Sequence, residues 1–336
     1  MYSNCINSNQ KHDAERANSF NPKLKVCAGI VTFNPDLERL KENIDSICNQ
    51  VDKVYICDNG SNNAISLKKL AGKYECVQVI WNKKNDGIAA ALNKIAKTAK
   101  KSNYSYLLTL DQDSVSTVGM VATLMNEMKP GVGIVSPQVI DRNKESIDRY
   151  EEKLDGKVYE VKQAARKGIL TSGALTDLDA WAYVNGFDEQ FFIDYVDYDF
   201  NKRLLLEGFH LIRTGKTALI HECGRAHPTF LVLPRKGQNG RWSFERFYSF
   251  GHSPFRCYYK ARNRILYSKK YKDCSKGFQF EGVMQIIPQI LLTLLFEDSK
   301  CEKAKAFYRG IRDGINTKVP SYQVNKHLAV DKYNAS

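Results

Sequence analysis

The segment YSYLLTLDQDS, residues 104–114, indicates the architecture of this chain. Its apolar run from Tyr106 to Leu110 predicts a strand buried on both faces of a sheet, because polar residues bound the run. Asp111 and Asp113 follow at the carboxyl end of this strand, and that edge of an open α/β sheet is where ligands bind. Two carboxylates at positions i and i+2 of an extended chain lie on the same side and can share one divalent cation. The same D-x-D pattern also occurs in polar turns, so the flanking segments must decide between the two interpretations.

Strands and helices alternate on both sides of this segment. Upstream, strands are predicted over 24–33, 51–58 and 77–82, and helices over 37–48 and 88–101. Downstream, a strand is predicted over 169–175, and helices over 178–184 and 197–207. This alternation predicts βαβ units with right-handed crossovers, and therefore an α/β fold with a mostly parallel sheet and flanking helices.

Three predicted strand ends bring polar residues to one edge of the sheet. These residues are Thr32, Asn34, Asp58, Gly60, Asp111, Gln112 and Asp113. The Asp58 carboxylate can accept the N3 hydrogen of uracil or thymine, or it can form a turn with the backbone before Gly60. A divalent cation on the aspartates suits a nucleoside diphosphate, since hard cations prefer carboxylate and phosphate oxygens. The chain lacks P-loop and dinucleotide-binding glycine motifs, which argues against those two classes of fold.

The positive charge of the chain is concentrated in its C-terminal third. Residues 226–336 contain 20 Lys and Arg against 8 Asp and Glu, whereas residues 1–225 contain 30 against 29. A basic region beside a nearly neutral domain indicates an anionic partner, either nucleic acid or membrane headgroups.

The cysteines and the N-terminus predict the compartment and the division of the chain. The nine cysteines have no C-x-x-C pair and no metal-ligand spacing, which predicts reduced thiols in the cytoplasm. Residues 1–24 lack the apolar stretch of a signal peptide and predict a polar, flexible tail. We expect the sheet to form a domain over residues 25–225, followed by a basic, largely helical lobe over residues 226–336.

Several motifs, taken together and in order, resemble those of the inverting glycosyltransferases of family 2, which have the GT-A fold. They are VTFNP (31–35), DNGS (58–61), NDGIAAALN (85–93), DQDS (111–114), SGAL (172–175), GFDEQFFIDYVDYDFNKRL (186–204) and HECG (221–224). Within this family the chain is similar to bacterial rhamnosyltransferases, through FFIDYVD (191–197), YYKARN (258–263) and GIRDG (310–314). The resemblance covers roughly residues 25–225.

The resemblance implies roles for individual residues. Asp197 matches the catalytic carboxylate of the family's E-D-x-D pattern, but Val196 stands where the preceding acid is expected, so Asp194 is a second candidate. One general base and one metal ion suffice for an inverting transfer. The implied ligands of Mg²⁺ or Mn²⁺ are Asp111, Asp113 and His221, although a histidine after a strand can also be a packed polar residue. The implied donor-binding residues are Thr32, Asn34, Asp58, Gly60, Asn85, Gly87, Asn93, Asp111, Gln112 and Asp113.

Asp199, close to these carboxylates, is predicted to favour the first turn of its helix through the helix dipole rather than to act in catalysis.

The C-terminal lobe contains a basic, aromatic stretch over residues 252–278 and an apolar run over 282–296. The apolar run is shorter than the roughly 20 residues that span a bilayer. This combination suits a peripheral protein on an anionic membrane surface, here the inner face of the cell membrane. The alternative is a buried helix of the lobe with a solvated basic face.

The leading hypothesis is a metal-dependent transfer of L-rhamnose from dTDP-rhamnose to a lipid-linked glycan, in the biosynthesis of a cell-surface polysaccharide such as O-antigen or capsule. A UDP-sugar transferase for galactofuranose, glucose or galactose is the alternative within the class, and a nucleotidyltransferase is a further one. A nucleic-acid-binding protein on a catalytically silent sheet is the alternative outside it. The absence of RRM, KH and helix-turn-helix patterns argues against nucleic acid as a partner.

Overall fold

The computed structural model describes residues 25–143, 149–165, 168–222, 227–236, 242–249, 251–274 and 282–324. The expected tail, residues 1–24, lies outside these ranges. The strands of the main sheet are β1 (Val26–Thr32), β2 (Lys53–Asp58), β3 (Val77–Trp81), β4 (Tyr106–Asp111), β5 (Val115–Ser116), β6 (Val132–Asp141), β7 (Val158–Glu160), β8 (Ala174–Asp177) and β9 (His210–His221). The helices beside it are α1 (Leu37–Ile47), α2 (Ala64–Ala71), α3 (Ile88–Lys101), α4 (Met120–Asn126), α5 (Leu178–Tyr183) and α6 (Val196–Leu206), with a short 3₁₀ helix at Tyr150–Lys153.

The sheet is mostly parallel. Its strand order is β3-β2-β1-β4-β8-β6-β9-β5, and β7 pairs with β9. The pairs β1–β2, β1–β4, β2–β3 and β6–β9 are parallel, whereas β8 is antiparallel to both of its neighbours. The register pairs Thr32 with Asp58 and Val31 with Asp111, so three polar strand ends reach the same edge. The predicted α/β fold is confirmed.

Apolar side chains cover both faces of the sheet. On one face, Ile30 of β1 packs in a cluster with Leu40 and Ile44 of α1. On the other face, α3 lies so close to β1 that a Cβ atom on Gly29 would be 2.7 Å from Cγ2 of Ile95. Full burial of a side chain such as Ile or Leu stabilises a fold by about 1.5–3 kcal/mol. The two layers therefore hold the carboxyl ends of β1 and β4 in fixed positions.

One predicted strand is displaced. The segment predicted over 169–175 forms turns up to Gly173, and the strand itself is β8, Ala174–Asp177. The reason is the φ of +84° at Gly173, which interrupts an extended backbone. The Thr109 hydroxyl donates to the carbonyl of Thr171 at 2.5 Å and holds this turn against β4. The other predicted elements begin and end within two residues of those observed.

The thiols differ from the expectation. Cys48 at the end of α1 and Cys76 before β3 form a disulfide, with their Cα atoms 6.3 Å apart. The prediction that the cysteines are reduced is therefore wrong for this pair. The separation of 28 residues between the two cysteines does not by itself predict a disulfide, because the pairing depends on how α1 and β3 pack in space.

The C-terminal lobe contains a β-hairpin as well as helices. The hairpin consists of β10 (His227–Lys236) and β11 (Trp242–Ser249), and the helices are α7 (Pro254–Lys270), α8 (Ile286–Phe296) and α9 (Lys300–Asn316), with a 3₁₀ helix at Val283–Gln285. Helices α7 and α9 pack closely, since a Cβ atom on Gly310 would lie 2.3 Å from the carbonyl oxygen of Tyr258. No helix in the described ranges is long and apolar enough to cross a membrane.

The basic side chains of α7 bind partners within the protein. Arg256 binds Asp194, and Arg262 binds the carbonyl of Gln190. Arg264 binds the side chains of Gln285 and Gln289, and Lys269 binds three carbonyls at the end of α9. Lys270 binds Asp188 and Asp199. The expected basic surface on this helix is therefore largely committed to joining α7 to the rest of the molecule.

Candidate active site

The carboxyl ends of β4 and β9 bring three side chains with metal-ligand chemistry together. Asp111 ends β4, Asp113 follows it, and His221 ends β9. Each offers one ligand atom, and these atoms lie within 4.8 Å of one another. His221 Nε2 is 3.7 Å from Asp111 Oδ2, and its Nδ1 is 3.5 Å from Asp113 Oδ1. The structure thus brings together the three residues predicted as metal ligands.

This cluster fits a divalent cation. Asp113 Oδ1 is buried and has no hydrogen-bond partner among the described residues, so its lone pairs are available. Loss of solvation raises the pKa of Asp111, although its side chain is still 50% exposed, and the neighbouring Asp113 adds to that effect. Burial disfavours the charged form of His221, but Asp113 and Asp111 outweigh it and raise the pKa of the imidazole. Carboxylates suit Mg²⁺ and Mn²⁺, and a cation here would relieve the repulsion between the two aspartates.

Two serines and an asparagine support the cluster. Ser114 Oγ lies 3.0 Å from His221 Nδ1 and 2.8 Å from Ser172 Oγ. The backbone amide of Asp111 donates to Ser172 Oγ at 3.0 Å, and Asn43 Nδ2 donates to the Asp111 carbonyl at 2.6 Å. Such groups orient metal ligands. Ser114 and Ser172 were not predicted as site residues, although both lie in the DQDS and SGAL motifs.

Asp58 is saturated by its own loop together with Thr32 of β1. Its Oδ1 accepts from the hydroxyls of Thr32 at 3.0 Å and Ser61 at 2.5 Å. Its Oδ2 accepts from the amides of Gly60 at 3.2 Å and Ser61 at 3.0 Å. A carboxylate has about four acceptor positions, so these bonds use all of them. The geometry favours the turn interpretation, and a bond from a pyrimidine N3–H would have to displace one of these donors.

Asn34 and Gln112 join the strand ends. The amide of Phe33 donates to Gln112 Oε1 at 3.0 Å, which ties the end of β1 to the end of β4. The amide of Asn62 donates to Asn34 Oδ1 at 2.8 Å and ties β1 to the loop after β2. The two predicted residues therefore lie at the same sheet edge as the aspartates.

Asn85, Gly87 and Asn93 separate into two groups. Asn85 Oδ1 accepts from the amide of Gly87 at 2.9 Å at the start of α3, near the predicted donor edge. A Cβ atom on Gly87 would lie 2.7 Å from the Phe192 carbonyl, so this close approach requires glycine. Asn93 is buried, and it exchanges hydrogen bonds of 2.8 Å with both the carbonyl and the amide of Phe187. Its contacts make it a structural residue of the loop before α6, and none of them supports the prediction that it binds the donor.

Asp197 has the electrostatic environment of a general base. It lies in the first turn of α6, and its Oδ1 accepts from the amide of Tyr198 at 2.9 Å. Burial, followed by repulsion from Asp194 and Asp111, raises the pKa of its carboxyl to about 7. A base works best when its pKa lies near the operating pH.

Asp194 has a different environment. Arg256 of α7 donates to it from Nη2 at 3.0 Å and from Nε at 3.3 Å. Asp194 and Tyr195 adopt φ values of +61° and +70°, which non-glycine residues rarely do. The strained backbone thus presents the Asp194 carboxylate to an arginine of the C-terminal lobe. Because Arg256 binds the Asp194 carboxylate, Asp197 is the favoured candidate of the two.

Asp199 is the centre of a buried ion network. It is fully buried, and its Oδ2 is 2.7 Å from Arg203 Nη2 while its Oδ1 is 2.6 Å from Lys270 Nζ. The hydroxyl of Tyr271 also donates to Oδ1, at 2.7 Å. Its non-catalytic interpretation is supported, but its side chain binds these partners rather than a helix end.

Residues 27–179 match the family model described as Glycosyl transferase family 2. The chain carries a glycosyltransferase family 2 domain. A relative, the dTDP-rhamnosyl transferase RfbF of Shigella flexneri, is 28% identical over 304 residues, which cover 86% of this chain and 95% of the relative. The predicted resemblance to this family and to bacterial rhamnosyltransferases is confirmed, and the protein is a glycosyltransferase.

A solved glycosyltransferase has a fold similar to that of this chain. The structure of GalNAc-T7 with UDP, GalNAc and Mn²⁺ aligns with 88% of this chain at a TM-score of 0.56 and 12% identity. This chain spans only 57% of the GalNAc-T7 chain. The structure of S. aureus TarS 1-349 with UDP aligns with 60% of this chain and 61% of its own, at a TM-score of 0.47 and 14% identity.

Proposed function

We propose that this glycosyltransferase transfers L-rhamnose from dTDP-rhamnose to a lipid-linked glycan during the synthesis of a cell-surface polysaccharide. The similarity to the dTDP-rhamnosyl transferase RfbF, along 95% of that relative, supports dTDP-rhamnose as the donor. The observation that carries the reaction type is the cluster of Asp111, Asp113 and His221 at the carboxyl edge of the sheet. Its chemistry suits a nucleoside diphosphate held through Mg²⁺ or Mn²⁺.

The residues of the site suit a single displacement at the anomeric carbon. Asp111, Asp113 and His221 would hold the divalent cation, which supplies positive charge to the departing diphosphate when bound. Asp197 accepts the proton of the acceptor hydroxyl as that oxygen attacks the anomeric carbon. The bond from this carbon to the phosphate oxygen breaks, and its electron pair leaves with the nucleoside diphosphate. One displacement inverts the anomeric configuration and needs no covalent enzyme intermediate.

The nucleotide is proposed to lie along the ends of β1, β2 and β4, over Thr32, Asn34, Gly60 and Gln112. Asn85 and Gly87 border this edge at the start of α3. Recognition of the base by Asp58 stays a prediction, and it requires the nucleotide to replace a donor of the Asp58 loop. Binding of UDP, dTDP, CDP and GDP with Mg²⁺, measured by calorimetry, tests the predicted preference for uracil and thymine.

A panel of sugar nucleotides tests the donor. The protein is incubated with each donor and Mg²⁺ or Mn²⁺, and the released nucleotide is identified. The proposal predicts that dTDP-rhamnose is consumed fastest and that dTDP is released. Faster release of UDP from a UDP-sugar would change the assigned donor but not the type of reaction. Release of inorganic diphosphate would indicate a nucleotidyltransferase.

We also propose that the protein acts in the cytoplasm on the inner face of the cell membrane, where it reaches a lipid-linked acceptor. The apolar residues Ile287, Leu291 and Leu295 of α8 are each at least 60% exposed and follow one another at helical spacing. No charged residue occurs between 282 and 296. Eleven helical residues extend only about 16 Å, so this helix suits a position in the interface rather than across the bilayer.

A further inference from the structure

The first turn of α7 places an arginine with a partly open guanidinium next to the catalytic loop. Arg256 uses Nε and Nη2 to bind Asp194, and its Nη1 donates to no residue that the structure describes. The Arg256 side chain is 47% exposed, whereas Asp194 is 13% exposed. Asp194 therefore covers one edge of the guanidinium and leaves the other edge accessible to a ligand.

This ion pair is not needed to attach the lobe. Lys270 of α7 already binds Asp188 and Asp199 at 2.6 Å each, and Arg262 binds the carbonyl of Gln190 at 2.9 Å. Asn263 Nδ2 donates to the carbonyls of Ile193 and Asp194 at 2.8 and 3.0 Å and fixes the strained loop from below the pair. A backbone conformation of this kind is typical of functional sites.

The arginine lies beside the loop that leads into α6, where it binds Asp194, three residues before Asp197. Its positive charge acts on Asp111 at the end of β4 and on Asp197 in the first turn of α6. It is thus a second positive group beside the position proposed for the cation, supplied by a different part of the chain. Lys260, one turn further along α7, adds positive charge and lies 2.5 Å from His252 Nε2.

We propose that Arg256 binds a phosphate group of the substrate beside the predicted metal site, and that Asp194 is the residue that positions it. The planar fork of a guanidinium matches two phosphate oxygens, and such pairs are strong when they are partly removed from water. The inference rests on the proposed function, which provides two sources of phosphate. One is the diphosphate that departs from the donor, where Arg256 would stabilise the charge that develops on the leaving oxygen. The other is the phosphate that links the acceptor glycan to its lipid.

Binding of dTDP, dTMP, UDP and UMP in the presence of Mg²⁺ tests the donor arm. The variants are Arg256→Met, Arg256→Lys and Asp194→Asn, and Arg309→Met on the exposed face of α9 is the matched control. A charged hydrogen bond is worth about 1.5–3 kcal/mol, so Arg256→Met should weaken diphosphate binding roughly 10- to 100-fold and reduce the advantage of diphosphates over monophosphates. Arg256→Lys should recover part of the loss, because it keeps the charge but not the fork.

Kinetics with a verified acceptor test the other arm. If the acceptor supplies the phosphate, Arg256→Met should leave nucleotide affinity and donor hydrolysis by water unchanged but raise the KM for the acceptor by a similar factor. Normal nucleotide affinity together with a normal acceptor KM, in a variant with an unchanged Tm, would overturn the proposal. If Arg256→Met does not fold, Arg256→Lys carries the test, and wild-type values for that variant in both arms would also overturn it.

The role of Asp194 is tested separately. As a positioning residue, Asp194→Asn should weaken binding less than Arg256→Met does, and the effects of the two substitutions should not add in the double variant. Loss of turnover by about 10² with unchanged phosphate binding would instead make Asp194 the general base. Wild-type protein that binds dTDP but transfers no sugar would count against the proposed function, while leaving the binding test of Arg256 intact.

Discussion

Asp197 is a partly buried carboxyl whose ionisation is opposed by its surroundings. Besides the loss of solvation, the charges that act on it include Asp194 in its own loop, Asp111 at the end of β4 and Arg256 of α7. The resulting pKa of about 7 means that the carboxylate form is lost as the pH falls through neutrality. Because only the carboxylate can accept a proton, kcat/KM should fall roughly tenfold per pH unit below that value and level off above it.

A pH–rate profile of the wild-type protein and of Asp197→Asn measures this dependence. The variant should lose about 10²-fold or more in turnover, together with the rising limb near pH 7. A wild-type profile that is flat from pH 5 to 8, or a rising limb retained by the variant, would contradict the assignment of the base.

The sequence predicted those single residues whose role follows from their position at a strand end. Asp111, Asp113 and His221 belong to this group, because parallel strands deliver their carboxyl ends to one edge. It did not predict the saturation of Asp58, the structural contacts of Asn93 or the approach of Arg256. Each of these depends on partners from distant parts of the chain: Thr32 for Asp58, Phe187 for Asn93 and Asp194 for Arg256.

Helices α6 and α7 are joined by a buried ion network rather than by apolar contact alone. Burial disfavours a charged Asp199, but Arg203 of α6 and Lys270 of α7 outweigh it and lower its pKa. Asp199→Asn would leave the buried Arg203 without its counter-ion and Lys270 with Asp188 alone, and removal of one partner of a buried ion pair costs about 3–5 kcal/mol in comparable cases. The urea midpoint of unfolding should fall accordingly.

Asp45→Asn is the control for this substitution. Asp45 pairs with Lys41 at 2.6 Å with the same i,i+4 spacing, but both side chains are exposed, and surface pairs contribute little. Equal midpoints for the two variants would show that the network does not stabilise the junction of α6 and α7. At this level the sequence predicted α6, and it predicted the lobe that contains α7 only as largely helical. It did not predict their junction, because charge pairing between α6 and α7 leaves no periodic pattern.

The molecule combines a sheet domain that carries the predicted site residues with a lobe whose Arg256 binds Asp194 and whose helix α8 exposes apolar side chains. The sequence suggested that the basic residues of the lobe bind an anionic membrane, but the packing of α7 uses many of them internally. The membrane contact proposed for α8 would instead depend on apolar burial, which salt does not screen. Co-sedimentation with vesicles of phosphatidylcholine and phosphatidylglycerol should therefore persist as salt is raised.

Substitution separates this apolar contact from adsorption by charge. Leu291→Asp should reduce co-sedimentation, and Ile65→Asp should not, since Ile65 is 75% exposed on α2 of the sheet domain. Complete release by salt would favour charge adsorption, and equal binding of the two variants would show that α8 is not the contact.

The division of labour between Asp113 and Asp197 underlies the proposed reaction. Asp113 is assigned to the cation and hence to the donor in both the ground state and the transition state, whereas Asp197 acts only on the acceptor. Calorimetry with dTDP and Mg²⁺, paired with turnover measurements, separates the two roles in one experiment. The prediction is that Asp113→Asn weakens nucleotide binding and turnover together, while Asp197→Asn binds dTDP within a few-fold of wild type and loses about 10² or more in turnover. Unchanged metal-dependent binding in Asp113→Asn, or near-normal transfer by Asp197→Asn, would contradict this assignment of the active site.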